Sequence, residues 1–233
     1  ILCFLGPALY RLTCIAARRG KNDMTIVLSL CLVLGCAAAF GAAALPTRKY
    51  GKKKPLREGI GAVLGAACGA ELLQRYPPAA ALTFGVFFAL LWAVACIDAD
   101  TQEIPDVFHL ILLALSAVSC YTITGISLWA RLIGLLCVSV PMLALTLWKE
   151  GAFGGGDIKL MACCGLLMGW RLCLLGAFFG ILGGGAWGAW LLLRRRAART
   201  DHFAFAPFLC AGMAASVLWG DAVLAWYLRL FGF

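Results

Sequence analysis

The chain has 233 residues, 63% of them hydrophobic and only 13% charged, with a formal net charge of +9. A soluble domain is nearer a quarter charged, so a water-soluble globule is excluded and an integral membrane protein is indicated. The positive charge is no nucleic-acid signature, because the basic residues concentrate in two loops between apolar runs, as the positive-inside rule describes.

Apolar runs able to approach the ~30 Å of a bilayer core recur along the whole chain. A short run at 1–16 has neither a basic leader nor a small-residue cleavage site, so no cleavable signal peptide is expected there. Spans are predicted at 24–45, 58–75, 78–97, 107–123, 128–148, 158–170, 171–193 and 204–230. The predicted fold is therefore all-α, a polytopic transmembrane bundle of about eight spans. It is organised as N-terminal helices and a basic loop over 1–57, then a membrane-embedded core over 58–233. Loop 46–57 carries Arg48, Lys49, Lys52, Lys53, Lys54 and Arg57, and loop 194–202 carries Arg194, Arg195, Arg196 and Arg199. With both loops in the cytoplasm, the turn Arg75-Tyr76-Pro77-Pro78 and the turn near Thr124-Gly125 fall outside. Arg18, Arg19 and Lys21 conflict with that scheme if 24–45 crosses completely.

Two glycine ladders, Gly61-Gly65-Gly69 and Gly176-Gly180-Gly184-Gly188, put smooth stripes on helix faces and predict close packing, within one subunit rather than, as the alternative, across a dimer face. The twelve cysteines form no C-x-x-C pair, so they are expected to pack as small hydrophobes, with no bound metal and no cofactor.

Two acidic motifs sit where apolar runs meet water. The first runs Asp98-Ala99-Asp100-Thr101-Gln102-Glu103-Ile104-Pro105-Asp106, and no Lys or Arg lies among its four acids. Asp98 is deepest, at the hydrocarbon edge, where a carboxylate is costly and a functional role is the default reading. Pro105 disfavours helix at Ile104 and starts the next helix near Asp106, which is expected to be its cap. Asp100 and Glu103 are expected to be solvated loop acids, or a patch that attracts a basic substrate. The second motif, Gly154-Gly155-Gly156-Asp157-Ile158-Lys159-Leu160, places three glycines before an aspartate that opens a helix. Glycine permits backbone geometry closed to other residues and lets another segment pass close by. A phosphate loop is rejected, because Asp157 would repel phosphate and Lys159 follows too late.

Two converging carboxylates cannot both ionise cheaply, so the pair keeps one proton near neutral pH. The charged member can take a proton from water while the neutral one donates to a scissile carbonyl. His109 and His202 lack a metal-binding arrangement, and His109, near the first motif, is read as a packing or surface residue. Ser116, Ser119 and Ser139 lack a nucleophile-elbow context.

On these residues the chain resembles the type IV prepilin peptidases and their preflagellin relatives, membrane aspartyl proteases of the GxGD type. Asp98 through Ile104-Pro105-Asp106 matches the first family motif, and Gly154, Gly156, Asp157, Lys159 and Leu160 match the second. Pro55-Leu56-Arg57-Glu58 and Phe205-Ala206-Pro207-Phe208-Leu209 are similar to two further family segments, with Glu58 a supporting residue. The resemblance implies cleavage of basic leaders from prepilins or pseudopilins at the cytoplasmic membrane face, with Asp98 and Asp157 catalytic and the lipid bilayer as surroundings. Many family members also methylate the new N-terminus and carry two C-x-x-C pairs in a cytoplasmic loop. Region 17–57 has none, which puts methyl transfer in doubt. The competing expectation is a proton- or cation-coupled transporter using the same aspartates as a relay, although no internal repeat is visible. Oligomeric state stays open.

Overall fold

The computed structural model describes residues 55–149, 153–194 and 204–230. The predicted span 24–45 and most of both basic loops lie outside the described residues. Everything described is helix or connection: α1 (Pro55–Arg75), α2 (Pro78–Thr101), α3 (Asp106–Thr122), α4 (Leu128–Cys137), α5 (Ser139–Trp148), α6 (Gly155–Leu193) and α7 (Ala206–Leu230). Four stretches are long and apolar enough to cross a membrane: Pro78–Thr101, Leu128–Trp148, Gly155–Leu191 and Ala206–Leu230. Large side chains such as Leu110, Trp129, Leu147 and Trp226 stand exposed on their outer faces, as lipid contact allows. This is a multi-pass membrane protein.

Two compact units meet inside α2, one ending at Ala93 and the other starting at Val94. In the first, α1 turns into α2 through Tyr76-Pro77, and the Tyr76 ring packs on Phe84 with centroids 4.8 Å apart. Gly61, Gly65 and Gly69 all lie on buried helix surface.

The second unit is organised around α6. Helix runs on both sides of Gly169, which itself adopts φ 77°, ψ 169°, a conformation that favours glycine. The chain folds back there. Cys173 Sγ lies 3.9 Å from the Met161 carbonyl oxygen, whereas twelve residues of straight helix would separate them by ~18 Å. The predicted boundary between spans 158–170 and 171–193 thus falls within two residues of a real reversal.

The first limb of α6 (155–168) runs parallel to α3. Ser116 Oγ donates to the Cys163 carbonyl at 3.2 Å, and Ser119 Oγ to that of Leu167 at 3.4 Å. The second limb packs antiparallel on α7 through the predicted glycine stripe. A Cβ on Gly180 would meet the Leu209 backbone at 2.9 Å, and one on Gly184 the Phe205 ring at 2.5 Å. Helix α4 crosses the first limb where Gly134 and Gly165 touch backbone to backbone, leaving no room for a side chain on either. The predicted span 128–148 is broken at Val138, because Pro141 cannot donate a backbone hydrogen bond and its ring crowds the carbonyl of Cys137.

Arg131 is the largest fully buried side chain among the described residues. Its Nη2 donates to the Ser119 and Ile123 carbonyls at 3.0 and 2.9 Å, and Nη1 to those of Leu167 and Leu166 at 2.7 and 3.2 Å. Those carbonyls belong to the C-terminal turns of α3 and of the first limb of α6, where carbonyls run short of partners within their own helix, although that of Ser119 also accepts the Ile123 N–H at 2.9 Å. One cation thereby caps two helix ends with the sign that their dipoles favour. Each buried polar group left without a partner costs ~1–3 kcal/mol, so Arg131→Leu is expected to destabilise by at least ~3 kcal/mol. Thermal unfolding of the detergent-solubilised protein measures this, and Arg131→Lys, lacking the planar fork, should lose much of the same stability.

Candidate active site

The first motif begins inside a helix, not after it. Helix α2 continues to Thr101, four residues past the predicted end, so Asp98 projects from its last full turn and is only 6% exposed. Thr101 Oγ1 bonds the Ile97 carbonyl at 2.9 Å, and Gln102 closes the helix with φ 56°, a left-handed position usually given to glycine. Extended Pro105 then precedes α3, as predicted.

The second motif starts α6. Asp157 sits in its first turn, 8% exposed, with its N–H donated to the Gly154 carbonyl at 3.1 Å. The three glycines do not serve as predicted by unusual backbone angles, since Gly169 is the single glycine with positive φ among the described residues. Gly156 matters for space: a Cβ there would meet the Ile104 side chain at 3.2 Å. One on Gly154 would sit 3.5 Å from Asp157 Oδ2, and one on Gly155 would meet nothing.

Asp98 and Asp157 are both buried and lie within reach of each other's charge. Asp98 Oδ2 accepts the N–H of Ala206, the first residue of α7, at 3.1 Å. A carboxylate at a helix N-terminus meets unpaired N–H groups and the favourable end of the dipole. The segment Phe205-Ala206-Pro207 therefore positions Asp98, a role that its motif similarity alone did not disclose.

The supporting residues divide. Asp106 is not the cap expected of it, for extended Pro105 occupies the N-cap position, and Lys159 Nζ binds Asp106 Oδ1 at 2.8 Å. That pairing holds the Asp106 carboxyl below the usual carboxylate range. Both partners are well exposed, so water and salt screen the bridge and it adds little stability. Asp100 is half-buried and Glu103 exposed. Glu58 lies in the first turn of α1, but its side chain is outside the described part of the structure. Of the two roles expected for His109, packing or surface, it takes the first: it is buried, and its Nε2 lies 3.0 Å from the Gly156 carbonyl oxygen. Among the described residues, no group of three or more His, Cys, Asp or Glu side chains could hold a metal ion.

A multi-pass helical membrane protein with two buried, interacting carboxylates at the start and end of separate helices is the class defined here. Residues 85–189 match the model of the type IV leader peptidase family. The chain is 30% identical over 179 residues to the prepilin leader peptidase/N-methyltransferase of Bacillus subtilis, covering 76% of this chain and 70% of that protein. It is 34% identical over 158 residues to the protein of the same name from Pseudomonas aeruginosa (64% and 54% covered). For the Aeromonas salmonicida protein of that name the figures are 29% over 200 residues (83% and 64%). No solved structure matches. The chain belongs to the type IV leader peptidase family, as its two motifs led one to expect. It spans between about half and 70% of the length of these relatives.

Gly156→Val is expected to leave membrane insertion intact while pushing Ile104 and the first motif away from the second, at ~1–3 kcal/mol of overpacking. Comparing membrane-fraction yield with peptidase turnover checks this: yield near wild type should accompany a loss of turnover.

Proposed function

We propose that this chain is an aspartic endopeptidase that removes the basic leader from type IV prepilin-like proteins, with Asp98 and Asp157 as its catalytic pair. The carrying observation is that these two acids, 59 positions apart in sequence, are both buried and feel each other's charge, in a member of the type IV leader peptidase family. Of two such carboxyls, one keeps a proton and the other is charged. The charged carboxylate takes a proton from a water molecule, whose oxygen attacks the scissile carbonyl carbon. The neutral carboxyl gives its proton to the carbonyl oxygen. Collapse of the tetrahedral intermediate breaks the C–N bond, and the leaving nitrogen receives a proton from the acid of the pair. No metal or cofactor enters this scheme.

We place the site on the cytoplasmic side. The arginine-rich loop 194–202 ends just before Ala206, whose N–H binds Asp98, and the positive-inside rule favours the cytoplasm for that loop. The exposed acids of the first motif suit a basic leader, within a screening length of about 8 Å at physiological salt. Counting α1, α3 and both limbs of α6 as crossings gives seven spans over residues 55–230 in this proposal. Prepilins or pseudopilins are the proposed substrates, and the bilayer the surroundings. The relatives' names also include N-methyltransferase. Methyl transfer is left out of the proposal because the sequence holds no C-x-x-C pair. Nothing in the family match or in the placement of the acids at helix ends supports the transporter.

Co-expression with a prepilin bearing a basic leader tests the proposal. The leader should be lost with the wild type and retained with Asp98→Asn and with Asp157→Asn, each still found in the membrane. Substantial cleavage by either variant contradicts the assignment. Cleavage by purified protein should persist in excess EDTA, and strong inhibition would mean that a metal site has been missed.

A further inference from the structure

We propose that His109 is a positioning residue that sets the direction of the Asp157 side chain by gripping the peptide bond in front of it. The inference rests on the catalytic role proposed for Asp157. A carbonyl oxygen can only accept, so at 3.0 Å from the Gly156 oxygen, His109 Nε2 carries the proton and donates it. The Gly156–Asp157 peptide is thus held at both ends, its oxygen by His109 and its nitrogen by the Gly154 carbonyl at 3.1 Å. A planar peptide fixed at both ends leaves little freedom in the orientation of the Asp157 Cα–Cβ bond.

The second ring nitrogen faces a different neighbour. Nδ1 is buried and has no hydrogen-bond partner. The facing charge, Asp106 Oδ1, stands 3.6 Å away and is already bound to Lys159. The backbone of the same residue is tied to α6 too, because Cys163 Sγ approaches the His109 carbonyl at 3.6 Å. Other links join the two motifs: the Asp106–Lys159 bridge is exposed and weak, and Ile104 against Gly156 is a contact without direction. The histidine link is buried and directional. It belongs to α3, which starts from the first motif through Pro105, so it also carries the position of that motif to the second.

The test compares His109→Phe, which keeps a ring but cannot donate, with His109→Gln, whose amide N–H can reach the same oxygen. Purified variants are assayed on a prepilin with a basic leader, and hydrogen exchange is followed over residues 154–160. His109→Phe should lower kcat about 10–100-fold, as a misplacement of ~1 Å can, with KM within about twofold. It should also speed exchange in that segment, and His109→Gln should restore both. The inference is overturned if His109→Phe keeps kcat within twofold, if its exchange matches wild type, or if His109→Gln is as impaired as His109→Phe. A wild-type protein that left the leader intact would refute the peptidase proposal instead. Exchange alone would then decide whether the grip exists.

Discussion

Burying two carboxylates within range of each other's charge is unfavourable wherever water is scarce, and the arrangement of the second unit can be understood as the means of sustaining it. Three helix ends converge there. Helix α2 delivers Asp98 from its last turn, α6 delivers Asp157 from its first, and α7 begins with an N–H aimed at Asp98. Helix N-termini are the natural partners of buried acids, because their unpaired donors would otherwise need partners of their own. The pair proposed as catalytic thus sits among helix ends. The acids are tolerated because the ends of helices supply what water would have supplied.

The far end of the same unit solves the opposite problem. Where α3 and the first limb of α6 stop, their last carbonyls are buried, and Arg131 satisfies four of them with two nitrogens. Asp157 lies where α6 begins, and Asp98, in the last turn of its own helix, meets the start of α7, while the cation lies where two helices finish. At Asp157, at the α7 terminus and at Arg131 the sign of the charge suits the helix dipole. Between the two ends the helices approach through glycine and serine, so close backbone contact and shared hydrogen bonds replace a hydrophobic driving force that lipid does not offer.

Gly169 makes this economy of space possible. Without a residue able to take φ 77°, the stretch 155–193 would be one helix of almost twice the bilayer thickness, and Cys173 could not reach Met161. Its reversal brings α7 alongside the second limb and so sets Ala206 level with Asp98. A backbone angle twelve residues from Asp157 therefore takes part in assembling the site.

The amino-acid sequence alone was sufficient for the helical membrane class, for most helix positions and for the two acids at the centre of the site. Long apolar runs must be helices in lipid, and a carboxylate beside one is conspicuous because it is unfavourable there. The family followed from the same residues and their spacing. What the sequence could not disclose were relations between distant positions: the grip of His109 on Gly156, the anchoring of Asp98 by Ala206, the transfer of Asp106 from cap to ion pair, and the burial of Arg131. Each depends on a partner 8 to 108 positions away, reached only after helices pack. Hydropathy and motif spacing report a residue's own cost in the membrane. Tertiary packing decides which group offsets that cost.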